Sequence, residues 1–483
     1  MNIVIPSAGK GSRFKELGRL YPKSLLPIDN KPIIQHNIEK LYDLADSITI
    51  VIQPESLEIF SRILGYYKTF DKVVFAHPNE SKNNGALTSI WAGNKENDLD
   101  YLIVLSDIIL PELNVDFSTN FVTYQSVDDW ERWCLVDIKT NLLSDKPKQR
   151  PNFDLNALNG VYFSKSSDFK KIASLLECDQ VEETNISSWL NLIDFKSIEM
   201  QVADFGTLQE YQENRKVPKC RHFNSIEENG NILRKSGQDF NKIHKEYNWF
   251  NSIPTNLKQH TVRIYGCQYN PFSYDMESIS YKTLREHILF VGMDHFEEFL
   301  ETIKVFIDTE RKYQGSPFFE RLFNKTNSRM KGIFTDHEIS IMLSELKKYE
   351  SVIDGNTSIM HGDLVASNIF YKEDTKDLKL IDPNGELFGS FLYDLAKLNQ
   401  SLTTPYDYID SGLFIENYVY EKSQNQYAEK WKEFLNKNYP EFVGCIEVLS
   451  LSLMCSLIPL HSDRPENQDM YIRWCKARLK ETQ

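Results

Sequence analysis

The chain has 483 residues, 41% of them hydrophobic, too long for one ordinary core and enough to bury two. Its formal net charge of −14 argues against a general nucleic-acid binder, although a few local lysines and arginines suffice to hold a triphosphate. Seven scattered cysteines form no C-x-x-C pair, and the N-terminus Met-Asn-Ile-Val-Ile-Pro lacks the basic and apolar regions of a signal peptide, so a reducing cytoplasm is the expected location.

Strand-like and helix-like segments alternate through the first 210 residues. Asn2 to Pro6 reads as a buried strand and Ile33 to Leu44 as a helix. Ile48 to Gln53 reads as a strand, Ser56 to Tyr67 as a helix, and the apolar run Tyr101 to Leu105 as a strand covered on both faces. Ile198 to Val202 reads as a last strand, before a capping box at Thr207-Leu-Gln-Glu210. This alternation predicts an α/β layer with a largely parallel sheet. The polar stretch Gln212 to Cys220 marks a boundary, giving domains 1–215 and 216–483. Beyond it come a strand-rich lobe (221–236, 261–268 and 271–277) and, from Thr283, mostly helical spacing. The longest apolar run, Val448 to Leu460, is shorter than a membrane span and reads as a buried helix.

Near the N-terminus, Ile3-Val-Ile-Pro-Ser-Ala-Gly-Lys-Gly-Ser-Arg13 is a strand running into a glycine-rich turn. Gly9 and Gly11 would let backbone N–H groups approach phosphate oxygens, and Arg13 adds a guanidinium matched to phosphate. Pro22-Lys23, Pro27 and Lys31-Pro32 follow. Asp107 ends one apolar run and Asp204 closely follows another strand, the places where open parallel sheets bind ligands. Two carboxylates there could hold Mg²⁺ across an α-phosphate. The segment resembles the signature of the sugar-phosphate and phosphocholine nucleotidyltransferases. That resemblance implies a Rossmann-like α/β domain, with Arg13 and Lys23 on the triphosphate, Asn83 to Ser89 (including Asn83 and Gly85) reading the base, and Asp107 and Asp204 as metal ligands. It also implies that Asn159-Gly160 and the residues after them line the acceptor pocket.

A second constellation is His361-Gly-Asp-Leu-Val-Ala-Ser-Asn368, followed by Ile381-Asp-Pro. Phosphoryl transfer from ATP needs a carboxylate to take the proton of the attacking hydroxyl, and an amide oxygen and a second carboxylate to hold magnesium. Asp363, Asn368 and Asp382 supply those groups. With Tyr393-Asp-Leu-Ala-Lys-Leu398, the stretch resembles the choline kinase and aminoglycoside phosphotransferase family. An α+β, protein-kinase-like C-terminal domain is implied, with Asp394 tying the catalytic loop in place. Lys235 is then the lysine on the α- and β-phosphates, with Arg234 the other candidate and Glu246 as its ion-pair partner. Tyr274 to Ile279, containing Met276, is the adenine hinge. His461 and Asp463 are the acceptor candidates, and Tyr418, Tyr420, Trp431, Tyr471 and Trp474 are candidates for an aromatic cage around a cation.

The expectation is a bifunctional enzyme. One domain would phosphorylate a small hydroxyl compound with ATP. The other would join that phosphate to a nucleotide, CMP from CTP, both with Mg²⁺. The pair resembles bacterial machinery that decorates capsule or other surface polysaccharides. The alternatives are a sugar or polyol substrate with UTP or another nucleotide, and a nucleotide-binding pseudoenzyme scaffold.

Overall fold

Short β-branched runs build the centre of the first sheet, and the polar segments between them turn the chain back. In a computed structural model the chain forms two units, Met1–Lys216 and Val217–Gln483. The structure describes residues 1–481 except 10–13, 15–17, 19–20, 29–30, 66–70, 79–84, 178–184, 215–223, 270–271 and 415–418.

The first unit is an α/β layer. Besides a short pair, Pro27–Ile28 with Lys31–Pro32, its strands are β1 (Asn2–Pro6), β2 (Ser47–Val51), β3 (Val73–Ala76), β4 (Tyr101–Val104), β5 (Ile108–Ile109), β6 (Phe121–Ser126), β7 (Cys134–Val136), β8 (Leu143–Asp145), β9 (Asn156–Ser164), β10 (Lys196–Glu199) and β11 (Ala203–Asp204). Among the described residues the main sheet has the order β8-β7-β9-β4-β1-β2-β3, with β6 against β9 and β10 against β6. The helices Ile33–Leu41, Leu57–Gly65 and Ala86–Trp91 are the crossovers between β1, β2, β3 and β4. They make those strands parallel, with Val4 opposite both Thr49 and Ile103.

The expectation of a largely parallel sheet needs correction. β9 is antiparallel to β4, β6 and β7, so the sheet is mixed. No helix lies between Val127 and Leu155 to supply a crossover, and antiparallel returns need none. The strand expected at 198–202 also divides. β10 ends at Glu199, and Ala203–Asp204 forms a separate strand paired with Ile108–Ile109. The core beneath the sheet is aromatic as well as aliphatic: Tyr101 stacks on Phe169 at 3.7 Å, and Trp189 meets Phe169 edge-on.

The second unit opens with an antiparallel sheet of β12 (Asn224–Asn229), β13 (Ile232–Gly237), β14 (Ile264–Tyr269) and β15 (Phe272–Glu277), in the order β12-β13-β15-β14. One helix, α1 (Phe240–Ser252), packs on β13 and β15. The rest is helical, apart from two short strand pairs. The helices that matter here are α2 (Phe296–Glu310), α3 (Phe391–Thr403) and α4 (Val443–Leu457). β16 (Ile369–Lys372) and β17 (Asp377–Leu380) form a hairpin, with Ile369 opposite Leu380.

α4 extends the apolar run expected at 448–460. The stretch Pro440–His461, 22 residues containing an 18-residue window of mean hydropathy 2.0, is long and apolar enough to cross a membrane by length and composition, contrary to the expectation from the shorter run. It packs against α3, and 61% of its apolar window is buried inside the unit, as suits a helix that is hydrophobic on all sides.

Each unit buries its own apolar core, so each should fold alone. Residues 1–216 and 217–483, expressed separately, are each expected to give a cooperative thermal transition by calorimetry. A fragment that melts without a transition would show that its core is incomplete.

Candidate active sites

In the first unit the sheet itself gathers the site. β1 and β4 are parallel neighbours in register, so the loop after Pro6 and the residues after Val104 emerge at the same edge. Gln53 supports the first loop by donating to the Ala8 carbonyl at 3.0 Å. Gly9 is exposed, with open space where a Cβ would stand. Gly11, Arg13 and Asn83 lie outside the described residues. Gly85 is the extended residue that precedes the helix Ala86–Trp91.

Lys23, on a 3₁₀ turn entered through Pro22, forms an ion pair with Asp107. The β5–β11 pairing sets Asp204 opposite Ile108, and Phe205 N–H donates to the Asp107 carbonyl at 2.8 Å. Burial pushes the Asp204 carboxyl up to about 6, with the neighbouring Asp107 and Glu210 carboxylates adding to the rise. A divalent cation across Asp107 and Asp204 would relieve that repulsion, so the donor set fits Mg²⁺. Among the described residues no third metal-binding side chain joins them, and the remaining ligands would be phosphate oxygens and water.

These groups line a pocket of about 140 Å³ that also contains Asn159, Arg132 and Trp133. The Asn159 amide donates to the Met200 carbonyl at 2.6 Å and accepts from Thr123, so its polar atoms hold strands together at the pocket wall. Gly160 has φ +96°, and a Cβ there would lie 3.0 Å from Leu105. That close approach lets β9 press against the chain just before Asp107. Arg132 was not singled out from sequence. It pairs with Glu210 and lies 4.6 Å from the Trp133 ring, on a loop with no motif.

In the second unit, strand alternation decides between the two candidate cations. Arg234 makes a two-point pair with Asp275 on the more exposed face of the sheet, at 2.8 and 3.0 Å. Lys235 points the other way and is 1% exposed. Its ammonium donates to Glu246 of α1 at 2.7 Å and to Asp382 at 2.8 Å. Burial alone would lower the Lys235 pKa, but Asp382, Tyr274 and Glu246 raise it above the ordinary lysine value, so the ammonium stays charged. Met276 is buried near the end of β15, where it pairs with Leu233 and Ile264.

The hairpin brings Asn368 and Asp382 to one place, with Ile381 N–H donating to the Asn368 carbonyl at 3.0 Å. Asn368 Nδ2 donates to the Asp363 carbonyl at 2.9 Å and to its carboxylate at 3.1 Å. An amide oxygen and a carboxylate this close suit a magnesium ion that takes its other ligands from phosphate and water. Asp382 has φ +56°, an uncommon conformation for a residue with a Cβ. Its turn is wedged on both sides. Gly385 lies so near α1 that a Cβ would meet Lys245 Cβ at 2.6 Å, and Gly362 abuts Asn384.

The loop before Asp363 is held from below. Asp394 of α3 accepts from His361 N–H at 2.6 Å and from Gly362 N–H at 2.7 Å. Burial pushes His361 down to about 4, so its ring is neutral, and Nδ1 accepts from Asp363 N–H at 3.3 Å. Burial pushes Asp394 up to about 7 and Glu310, beside it at the end of α2, well above the usual carboxylate range. Two buried carboxyls side by side do not both ionise, and Glu310 carries the proton.

The acceptor candidate His461 lies in a cluster that adjoins the Asp363 loop: Arg285 pairs with Asp407 and Asp410, and Ala366 N–H donates to Ser401 at 2.9 Å. His461 is buried with Nδ1 3.9 Å from Asp410, whose carboxylate is paired with Arg285 at 2.8 Å. Asp463 is exposed. Tyr471 and Trp431 are fully buried, and Trp431 donates to Asn399 at 2.8 Å, so these two are core residues and not the walls of an open aromatic cage. Trp474 is half-buried, with Arg478 5.6 Å from its ring. The side chains of Tyr418 and Tyr420 lie outside the described residues.

Comparison with known proteins places the first unit. Residues 2–125 match the nucleotidyl transferase family. The bifunctional protein GlmU of Methanocaldococcus jannaschii is 30% identical over 189 residues, which cover 38% of this chain and 43% of that protein. The low-salt glycan biosynthesis nucleotidyltransferase Agl11 of Haloferax volcanii is 26% identical over 192 residues, covering 36% of this chain and 52% of Agl11. The chain thus spans about half the length of these relatives or less. Apo UDP-glucose pyrophosphorylase aligns with 44% of this chain and 96% of its own, at 18% identity and a TM-score of 0.37. The similarity to nucleotidyltransferases therefore lies in the first unit.

Two predictions follow from the second unit. The folded protein keeps Glu310 protonated above the ordinary glutamate value of 4.5, while the unfolded chain releases that proton. The group's contribution to stability is therefore greatest below that value and falls as pH rises. Glu310→Gln should raise Tm relative to wild type at about pH 8, with the gain shrinking toward 4.5. A lower Tm at every pH would show that Glu310 is ionised. Gly385→Ala should cost about 2–4 kcal/mol in urea unfolding, from backbone strain and overpacking. Gly230→Ala, also at positive φ but in open space, should cost about 1 kcal/mol.

Proposed function

We propose that the chain is a bifunctional enzyme. The second unit phosphorylates a small hydroxyl compound with ATP, and the first joins the resulting phosphate to a nucleotide. The observation that carries the kinase half is the buried Lys235 ammonium gripping Glu246 and Asp382 together, beside a loop that presents Asp363 and Asn368. A fixed cation, a carboxylate facing the acceptor, and an amide–carboxylate pair are the parts that phosphoryl transfer from ATP requires. The acceptor hydroxyl would attack the γ-phosphorus, Asp363 would take its proton, and ADP would leave.

In the first unit, the arriving triphosphate would draw Lys23 from Asp107, freeing that carboxylate. Magnesium held by Asp107 and Asp204 would supply charge neutralisation at the α-phosphate. An oxygen of the phosphorylated acceptor attacks the α-phosphorus, and pyrophosphate leaves along the opposite direction. Arg13 and the Gly9–Gly11 turn are assigned to the triphosphate, and Asn83 and Gly85 to the base, on the family resemblance.

The substrate reading has two forms. The resemblance to phosphocholine enzymes points to CTP and an amino alcohol. The sugar-phosphate relatives, one named for glycan biosynthesis, point to a sugar or polyol phosphate and UTP or another nucleotide. Both forms suit the assembly of capsule or other surface polysaccharides. Two phosphate chemistries in one chain are most simply consecutive, since the kinase makes the phosphomonoester that the nucleotidyltransferase consumes.

A coupled assay with acceptor, ATP and each NTP, read by mass spectrometry, tests this. The activated product should need both sites. Asp363→Asn should lose about 10²–10⁴-fold in kinase rate and be rescued by adding phosphorylated acceptor. Lys23→Ala or Asp107→Ala should stop pyrophosphate release and let the phosphomonoester accumulate. A kinase product that the first unit never accepts would overturn the consecutive order.

A further inference from the structure

The loop from His361 to Asn368 contains no lysine or arginine, so it brings no cation of its own to the transfer site. One comes from α3 instead. Lys397 Nζ lies 3.0 Å from Asp363 Oδ1, and the side chain is largely buried, 15% exposed. Lys397 stands three residues after Asp394, one helical turn along the same face. Asp394 holds the N–H groups of His361 and Gly362, and Lys397 holds the carboxylate of the next residue. Three consecutive loop residues are thus fixed by one helix face. Asn368 holds the other Asp363 oxygen at 3.1 Å. Burial opposes the Lys397 charge, but Asp363, with Tyr393 and Tyr406 adding to its effect, more than offsets it, and the ammonium stays charged.

We propose that Lys397 is a positioning residue of the phosphotransfer reaction, which orients Asp363 toward the acceptor hydroxyl and sets a fixed positive charge beside the transferring phosphoryl group. This rests on the kinase reading given above. A structural tie between loop and helix would need only a neutral partner. A cation is needed where a carboxylate must stay in one orientation while negative charge moves past it.

The test measures ADP release from Mg·ATP, with choline, glycerol and glucose as acceptors and with water alone, for wild type, Lys397→Met, Lys397→Gln and Lys397→Arg. The expected result is a loss of about 10²-fold in kcat for the neutral variants, with KM for ATP unchanged within about twofold and Tm retained. Lys397→Arg, which keeps the charge, should recover about tenfold of that loss. If either neutral variant turns over within about threefold of wild type, Lys397 has no positioning role while the kinase reading stands. If both neutral variants unfold and the arginine variant is as slow as a folded protein, the residue is merely structural and the inference fails. A wild type that releases ADP neither to the acceptors nor to water overturns the kinase reading and this inference with it.

Discussion

The second unit depends on a single buried ammonium. Lys235 is nearly inaccessible, and a charge in that position is tolerable only because two carboxylates from different elements meet it. Removing one partner of such a group typically costs about 3–5 kcal/mol, because the other charge is left buried and uncompensated. An apolar trio would hold β13, α1 and the Asp382 turn together as firmly. The ionic version persists at a cost in desolvation, which is consistent with a site where phosphate must later share the lysine. Asp382 is 32% exposed at its side chain while Glu246 is 2% exposed, so the accessible partner is the one positioned to exchange.

The turn that carries Asp382 is strained and wedged, and the two facts explain each other. A non-glycine residue at positive φ survives only where its surroundings overdetermine it. Here Gly385 lets the turn press on α1 next to Glu246, and Gly362 lets Asn384 press on the loop before Asp363. Asn384 N–H also donates to the His361 carbonyl at 3.0 Å. Contact on both flanks therefore couples the lysine pair to the Asp363 loop through a few backbone atoms, and a Cβ at either glycine would separate them.

Legibility in the sequence followed the range of the interactions. Lys23, Asp107, Asp363, Asn368 and Asp382 sit in local signatures, because turns and strand ends fix their neighbours at short spacing, whereas Lys235 and Arg234 are told apart only by the face of the strand each occupies. The parallel half of the first sheet was readable from its crossover helices. The antiparallel β9 was not, since nothing local states which strands a nine-residue buried strand will join. Arg132 and Trp133 enter their pocket from a loop without any periodic pattern. Glu310 did leave a trace. It falls on the apolar spacing Ile303, Ile307, Glu310 of α2, where an acid in place of an aliphatic residue signals a buried partner. Trp431 and Tyr471 are core residues, as aromatics at helical spacing mostly are, and residue types that suit an acceptor site are also those that fill a helical core.

On the proposed function, the two units meet the same electrostatic problem in opposite ways. Phosphate transfer needs carboxylates for metal and cations for phosphate, within a few ångströms of one another. In the first unit, burial pushes Asp204 toward protonation, the Asp107 and Glu210 carboxylates add to the rise, and Lys23 pairs with Asp107. A divalent cation across Asp107 and Asp204 would relieve their repulsion. In the second unit, Lys235 meets Asp382 and Lys397 meets Asp363, so each carboxylate of the proposed transfer site already has an ammonium. That site is near local balance without metal. The first arrangement should therefore bind metal more strongly in the absence of nucleotide, whereas the second should take metal mainly together with the phosphates that bring negative charge to it.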